Sequence, residues 1–300
     1  MDERLIAKQQ LYRIAAKNME NLKKAEGSPY FGRIDFQERS RNEVEEIYIG
    51  KFGLMDKDRD MPIVVDEAQD FDEFKMSILR ELSMNDSFTF VGDLAQGIYS
   101  YRGIRDWKRS MERVFPDKDY NYHLLTTRYR STIEIIELAN EVIKLCSDLE
   151  AVLAEPILRH EEKPKWIPYS SIEEMADKVI RRIDVLHQEA MGSMAVICKD
   201  LDEALSVHKI LEGKVENLHL ITDQKTDFQG GTAVIPSYLS KGLEFDGVIL
   251  WNVSKEAYEM NPMDIKLLYI GITRALHRLY LFSQAKAAPI LEAVKPKLSF

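Results

Sequence analysis

The sequence predicts an α/β fold in which parallel sheets carry helices on both faces. Short β-branched or aromatic runs alternate with amphipathic helical segments between residues 63 and 282, which is the pattern of strands joined by crossover helices. The first of these runs is followed directly by two carboxylates, Asp66 and Glu67. Ligands of such sheets bind at the carboxyl ends of strands, so this position is a candidate ligand site.

A helix and a hairpin are predicted ahead of the first sheet. Residues 1–26 contain neither proline nor glycine and repeat apolar side chains at spacings of three and four, which favours an amphipathic helix ending at Gly27. The β-rich runs 30–38 and 44–49 are separated by a polar pentapeptide, which favours a β-hairpin.

The alternation that follows predicts the remaining elements in order. Strands are predicted at 63–65, 88–91, 123–126, 194–198, 218–221, 232–235, 248–251 and 279–282, and helices at 74–82, 104–114, 132–145, 172–190, 201–211 and 262–273. Residues 151–168 contain three prolines and are predicted to be irregular.

Composition limits the class of protein. The 300 residues, 45% of them hydrophobic, suggest two domains, since one domain takes roughly 150 residues. No apolar run approaches the about 20 residues that span a bilayer, and the first residues lack a secretory signal, so we expect a soluble, cytoplasmic protein.

Cys146 and Cys198 are isolated in the sequence, which disfavours a disulfide framework or structural zinc. The net charge of −9 disfavours a broad basic coat for nucleic acid but leaves room for a local groove or a protein partner.

The carboxylate pair indicates chemistry on a nucleoside triphosphate. Because side chains alternate along a strand, one carboxylate can hold magnesium while its neighbour activates a water; an acidic turn without function is the alternative. The phosphates of such a ligand normally lie in a glycine-rich loop ending in Gly-Lys-Ser or Gly-Lys-Thr. This sequence has no such tripeptide, since only Lys51 and Lys214 follow a glycine and an apolar residue follows each.

Two further segments combine polar and aromatic side chains. Residues 91–103 contain Gln96, an amide that can sense a γ-phosphate or its attacking water, and Tyr99 or Tyr101 can offer a ring on which a nucleobase stacks. Packing at a strand end is the alternative for these tyrosines. Residues 125–132 place Arg128 and Arg130 around Tyr129, which suits contact with a γ-phosphate and stacking on adenine. Helix capping with surface arginines is the alternative.

The carboxyl-terminal part adds two more candidates. Lys241, Gly242 and Glu244 lie between two predicted strands; the glycine permits close backbone approach, and the carboxylate can accept hydrogen bonds from a ribose. Arg274 ends an apolar helix, where its guanidinium can point into a cleft, although a buried ion pair explains it equally well.

Five segments in this order form a specific set: DEAQD at 66–70, GDLAQGIYSYRG at 92–103, YRST at 129–132, KGLEF at 241–245 and YIGITRA at 269–275. They resemble motifs II to VI of the superfamily 1 helicases of the UvrD and Rep type. SPYFGRIDF at 28–36, EEIYIG at 45–50 and SYLSKGLEFD at 237–246 resemble, more narrowly, the HelD family, helicase IV relatives that act on bacterial RNA polymerase.

The resemblance implies roles for single residues. Asp66 would bind magnesium, Glu67 would bind magnesium and activate water, Gln96 would couple the nucleotide state to strand binding, and Arg130 and Arg274 would contact the γ-phosphate. Tyr129 would stack on adenine and Glu244 would hold the ribose, with Lys241 and Gly242 in the same nucleotide-binding set. Tyr99, Tyr101 and Arg102 would bind nucleic acid, with Tyr101 standing where UvrD-type motors carry tryptophan. The implied cofactors are ATP and Mg²⁺, and the implied partners are DNA and RNA polymerase.

The resemblance also implies an incomplete first domain. The expected organisation is a helical arm remnant with a β-hairpin at 1–60, a partial RecA-like domain at 61–119 and a second RecA-like domain at 120–300. In the family a long stretch with the phosphate loop lies between the hairpin and the strand at 63, whereas this chain has about a dozen residues there. We therefore expect negligible ATP hydrolysis by the chain alone. The alternatives are a non-catalytic module that binds RNA polymerase, a subunit whose partner chain supplies the loop, or a decayed reading frame.

Overall fold

The computed structural model describes residues 62–83, 87–98, 103–116, 120–147, 149, 152–156, 159–223, 228, 230–284 and 286–300. The predicted amino-terminal helix and hairpin lie outside the described residues, as do Tyr99, Tyr101 and Arg102. The chain divides into two compact units. The described part of the first unit is 62–83, 87–92 and 110–116, and the second unit contains 93–109 and the described residues from 120 onward. The predicted domain boundaries stay a prediction.

The first unit is built on two short parallel strands, β1 (Ile63–Val65) and β2 (Phe88–Phe90), and the helix α1 (Glu73–Leu82). Asp72 caps α1 by accepting a hydrogen bond from the Lys75 amide at 2.7 Å. The rings of Phe88 and Phe90 pack on Phe115 with centroids 5.4 and 6.0 Å apart. As far as the described residues show, the opposite face is open at Val64, which is 68% exposed.

The second unit contains the larger sheet. Its strands are β3 (Thr127–Arg128), β4 (Glu155–Pro156), β5 (Lys165–Tyr169), β6 (Ser193–Cys198), β7 (Leu218–Leu220), β8 (Gly231–Pro236), β9 (Phe245–Leu250) and β10 (Ala275–Gln284). Its helices are α3 (Ile133–Ile143), α4 (Ile172–Gln188), α5 (Leu201–Leu211), α6 (Pro262–Thr273) and α7 (Pro289–Ala293), while α2 (Trp107–Val114) begins in this unit and ends in the first. Six strands form an all-parallel sheet in the order β5-β10-β9-β6-β8-β7, and β3 pairs separately with β4.

The large sheet is covered by helices on both faces. Along β6, Ala195 and Ile197 pack in one buried cluster with residues of α3 and α6. Met194 and Val196, which point to the other face, pack in a second cluster with residues of α4 and α5. The predicted fold class, parallel sheets with helices on both faces, is therefore confirmed.

Most predicted elements are present, and the differences have physical causes. The helices predicted at 201–211 and 262–273 have those bounds in the structure, where Asp200 and Asn261 cap them with side-chain oxygens. The strand predicted at 123–126 was wrong, since the paired residues are Thr127–Arg128. The prediction of an irregular 151–168 was also wrong, because β4 and β5 lie there. Proline is tolerated in these strands because β5 is an edge strand and β4 ends at its proline.

Within the described ranges, no helix combines the length and apolarity that a bilayer span requires.

A charged cluster ties the loop before β5 to β10. Glu161 accepts from Arg159 Nη2 at 2.9 Å and contacts Arg278 Nη1, and His277 Nδ1 lies 2.8 Å from its Oε1. Burial raises the pKa of Glu161, but the hydrogen bonds from His277, Arg159 and Arg278 outweigh it and hold the pKa below its ordinary value of 4.5. This cluster therefore stabilises the folded unit only while Glu161 is ionised.

Acid should weaken the second unit through Glu161. A carboxyl whose pKa is lower in the folded state contributes stability above its unfolded pKa and loses that contribution as the pH falls through the folded value. We expect Glu161→Gln to reduce the free energy of unfolding at pH 7 by about 1–3 kcal/mol and to flatten the loss of stability below the unfolded value of 4.5. Urea unfolding at a series of pH values measures both effects, with Glu292→Gln, from an exposed 3.7 Å pair with Lys295, as the control. Equal pH profiles for the two variants would contradict the assignment.

Gly247 should not tolerate a side chain. A Cβ added to this residue in β9 would lie 2.7 Å from Leu186 Cδ1, and Leu186 is fully buried. We expect Gly247→Ala to destabilise the second unit by about 1–3 kcal/mol, as overpacking of a core does. Gly192→Ala is the matched control, because the nearest atom to its added Cβ is Asp246 Oδ2 at 3.9 Å. Thermal unfolding of both variants measures the difference, and an equal loss in both would disprove the packing argument.

Candidate functional site

The carboxylates Asp66 and Glu67 lie at the carboxyl end of β1, as predicted, and both are exposed. Glu67 has a φ of 51°, an uncommon conformation for a residue with a side chain and one that often marks functional sites. Asp66 Oδ1 accepts from the Glu67 amide at 2.8 Å, and Glu67 Oε2 accepts from Gln69 Nε2 at 2.5 Å. The turn is fixed to β2 by the hydrogen bond from Ala68 N to Val91 O at 2.9 Å.

This pair fits magnesium only when phosphate completes the site. In the described part of the chain, no group of three or more His, Cys, Asp or Glu side chains is arranged so that it could hold a metal ion. Magnesium in nucleotide sites takes one or two carboxylates and draws its other ligands from water and phosphate oxygens. Asp66 and Glu67 can therefore supply the protein ligands, but they do not bind a nucleotide by themselves.

Gly92, at the end of β2, packs tightly on this acidic turn. A Cβ at this position would lie 2.3 Å from Gln69 Oε1 and 2.8 Å from the Gln69 amide nitrogen. Gln69 is completely buried, so it cannot move aside. The glycine is required there for close backbone approach rather than for an unusual φ.

A short 3₁₀ turn, Leu94–Gln96, holds Gln96 in the second unit. Asp93 caps this turn, because its Oδ1 accepts from the Ala95 amide at 2.9 Å. The other oxygen, Oδ2, accepts from Gln96 Nε2 at 2.8 Å. The Gln96 amide is thereby oriented with its Oε1 free to accept from a different donor, and the residue is 8% exposed.

That donor is Arg274, which lies directly after α6. Its Nη2 donates to Gln96 Oε1 at 3.1 Å, and its Nε and Nη1 donate to the carbonyls of Ile270 and Leu243 at 3.2 and 3.3 Å. Arg274 is only 6% exposed. Two residues predicted from separate motifs, Gln96 and Arg274, are thus in direct contact, and the guanidinium has protein acceptors in several directions.

A second chain of contacts returns from the 3₁₀ turn to α6. Arg128 Nη2 donates to Asp93 Oδ2 at 3.1 Å and to the Tyr269 hydroxyl at 3.3 Å. Burial raises the pKa of Tyr269 to about 12, so the phenol stays protonated. Lys266, also on α6, donates to the Gly97 carbonyl at 2.9 Å, and burial lowers the pKa of this lysine. The turn is therefore attached to α6 by side chains on both sides.

The remaining predicted nucleotide residues lie near the surface. Arg130, with a side chain 73% exposed, pairs with Glu244 at 2.5 Å, and this pairing raises the pKa of the arginine. Tyr129 is 72% exposed, so its ring is available for stacking. Lys241 is half-buried, and Gly242 has a φ of 75° that favours glycine.

Two of the predicted residues of the second unit lie just before strands. Glu244 directly precedes β9 and Arg274 directly precedes β10. Asp66 and Glu67 lie at the carboxyl end of β1, and the expectation that ligands bind at carboxyl ends of the large sheet stays a prediction.

Sequence reasoning gave no role to Asp93, Tyr269 or Lys266, and it suggested contact with a γ-phosphate for Arg128 rather than the hydrogen bond to Asp93. Asp93 and Tyr269 stand inside two of the recognised segments, so their positions were visible. Their pairing was not, because Asp93 and Arg128 are 35 residues apart and Arg128 and Tyr269 are 141 apart.

Comparisons with known proteins point to helicases. The family model of the DNA helicase IV HelD N-terminal domain matches residues 1–66, and that of the UvrD-like helicase C-terminal domain matches residues 232–282. The crystal structure of the C-terminal domain of a possible DNA helicase from a Lactobacillus, strain WCFS1, is 30% identical, with 55% of this chain and 93% of that chain covered and a TM-score of 0.46. The helicase of the virus PRRSV is 16% identical over 74% of this chain and 34% of its own, with a TM-score of 0.40. A comparison with the curated proteins found no match.

The six-stranded parallel sheet with helices on both faces defines an α/β protein. The superpositions, with TM-scores below 0.5, add no weight to this assignment. The two family models, and 30% identity over 93% of the bacterial domain, identify the family. The chain belongs to the HelD/UvrD type of helicase.

The two candidate phosphate arginines should differ sharply in their contribution to stability. Arg274→Ala removes a buried guanidinium with several acceptors, and we expect a loss of about 2–3 kcal/mol in the free energy of unfolding. Arg130→Ala breaks a pair whose arginine is exposed, and we expect a much smaller loss because solvent screens such pairs. Chemical denaturation of the two variants measures the contrast, and equal losses would show that the buried contacts of Arg274 are not formed in solution.

Proposed function

We propose that this chain derives from an ATP-dependent DNA helicase or translocase of the UvrD/HelD type that helps to recycle RNA polymerase, and that the chain alone does not turn over ATP. One observation carries the proposal: the carboxylates that serve magnesium and water are kept at a strand end, while the 300-residue sequence lacks any Gly-Lys-Ser or Gly-Lys-Thr. A triphosphate requires both parts, because backbone amides and a lysine must hold its phosphates before the acids can act.

The second unit supports the same conclusion. Arg274 donates to Gln96 and to main-chain carbonyls, and Arg130 pairs with Glu244. Both arginines therefore have protein acceptors without a nucleotide. A phosphate that approaches them has to replace these acceptors, and no other part of the sequence provides the cradle that would hold it in place.

The residues for the rest of a nucleotide site are retained. Asp66 and Glu67 would hold Mg²⁺, Tyr129 would stack on adenine, Glu244 would hold the ribose, and Lys241 with Gly242 would border the nucleotide. Tyr99, Tyr101 and Arg102 would contact DNA. A partner chain that supplies the phosphate loop would complete the site, and a role beside RNA polymerase places the protein in the cytoplasm.

A second candidate function is a non-catalytic module that binds RNA polymerase or another motor chain. The net charge of −9, the match of residues 1–66 to the HelD N-terminal domain and the open face at Val64 favour it. Both hypotheses predict co-purification with RNA polymerase subunits. Both also predict no ATP hydrolysis by the chain alone, whereas an autonomous motor would hydrolyse ATP.

The purified full-length chain should show no ATPase activity above background, with or without single-stranded DNA. Glu67→Gln, which removes the proposed water-activating carboxylate, should behave like the parent chain because there is no activity to lose. Phosphate release measures turnover, and calorimetric titration with Mg-ATP should show no heat of binding. Turnover by the parent chain that Glu67→Gln abolishes would falsify the inactivity proposal.

A further inference from the structure

An exposed group of tyrosines and cations lies in the second unit, outside all of the recognised segments. Residues 120–126 form neither helix nor strand. Tyr120 and Tyr122 are 41% and 44% exposed, and Leu124 and Leu125, which follow them, are 54% and 89% exposed. Large apolar side chains that stay exposed together indicate a surface that binds a partner.

The first turn of α2 and the residues before it supply the positive charge. Arg105, Lys108 and Arg109 are all exposed, and the Lys108 amine lies 5.9 Å from the centre of the Tyr122 ring. The acid in this stretch, Asp106, caps the helix by accepting from the Arg109 amide at 3.1 Å. Three cations beside one acid stand out in a chain whose net charge is −9.

We propose that Arg105, Lys108, Arg109, Tyr120 and Tyr122, here called the tyrosine strip, bind single-stranded nucleic acid without reading its sequence. This inference rests on the proposed function and adds a nucleic-acid contact to it. Flat tyrosine rings next to cations are the combination that holds single strands, because every base has a face that stacks and every nucleotide carries a phosphate.

The geometry suits one or two nucleotides. Residues two apart in a chain span at most about 7 Å, so the rings of Tyr120 and Tyr122 can border the same nucleotide. Lys108 lies over the Tyr122 ring in the free protein. A base that stacks on this ring displaces the amine, which then reaches the phosphate on a flexible stem.

A protein partner is the alternative ligand of this surface, because exposed aliphatic side chains lie next to the tyrosine strip. Glu155 N donates to Thr126 O at 2.8 Å, and β3 pairs with β4. The segments that lead into these two strands carry exposed aliphatic side chains, Leu124 and Leu125 before β3 and Val152 and Leu153, 45% and 38% exposed, before β4. A protein would bury these aliphatic side chains, whereas a nucleic-acid strand would use the tyrosines and the cations. The interleaving of rings and positive charge favours the nucleic acid.

The test uses the full chain and a fluorescently labelled oligothymidylate, with anisotropy measured at several salt concentrations. We expect the double variant Tyr120→Ala and Tyr122→Ala to bind about tenfold more weakly or worse. Tyr120→Phe with Tyr122→Phe should keep the affinity, because phenylalanine also stacks. Lys108→Gln should lower the slope of log affinity against log salt by about 0.7. Phe300→Ala, from a ring 77% exposed, and Lys209→Gln, from an exposed lysine on α5, are the matched controls and should change nothing.

The outcomes separate the two proposals. No binding of the oligonucleotide by the parent chain overturns the strip and also contradicts the nucleic-acid part of the proposed function. Binding by the parent chain that the alanine and Lys108→Gln variants leave unchanged overturns the strip alone. Loss of RNA polymerase binding with intact oligonucleotide binding identifies a protein interface instead, and it too overturns the strip. If the alanine variant fails to fold, as judged by circular dichroism, the salt slope of Lys108→Gln decides.

Discussion

The buried guanidinium of Arg274 is the constraint on which the second unit's site depends. Arginine cannot give up its proton in a protein, so a guanidinium that is only 6% exposed has to find acceptors nearby. It finds them in the last turn of α6 at Ile270, in the segment entering β9 at Leu243 and in the 3₁₀ turn at Gln96. One side chain thereby fixes three segments that are far apart in the sequence.

The hydrogen bonds of Arg274 continue into a longer chain of contacts. Asp93 accepts from Gln96 and from Arg128 and so orients the amide that receives Arg274. Arg128 also donates to Tyr269 on α6, so the contacts begin and end at the same helix. A phosphate would make stronger, charge-assisted bonds than the neutral acceptors present. A phosphate can replace these acceptors only if other groups compensate the free energy of removing its water. A phosphate loop provides such groups.

The elements that depend on local chemistry could be predicted from the sequence. The bounds of α5 and α6 follow from Asp200, and from Asn261 with Pro262 at the first helical position. The position of Asp66 and Glu67 follows from the strand before them. The pairings could not be predicted. Arg130–Glu244 and Arg128–Asp93 join residues 114 and 35 positions apart, and each of these charged side chains could equally have been exposed to solvent or paired with a neighbour in the sequence. Strand β5 was missed for a related reason: its proline argues against a strand, and only the position at the sheet edge removes the objection.

In the described residues the first unit has a small sheet, and the 300-residue sequence lacks the Gly-Lys-Ser or Gly-Lys-Thr of a phosphate loop. Parallel strands are normally covered on both faces, yet Val64 is 68% exposed, and among the described residues the first unit's sheet contains only β1 and β2. Two short strands are marginal as an independent sheet.

A phosphate loop always comes with two further elements, since it connects a strand to the helix whose amino terminus holds the phosphate. Any chain that supplied the loop would therefore also bring a strand and a helix, which are the parts that could extend this sheet and cover its open face. Binding of such a partner would stabilise the first unit and complete the nucleotide site in the same step, so that the fold of this unit and its ability to use ATP are expected to appear together.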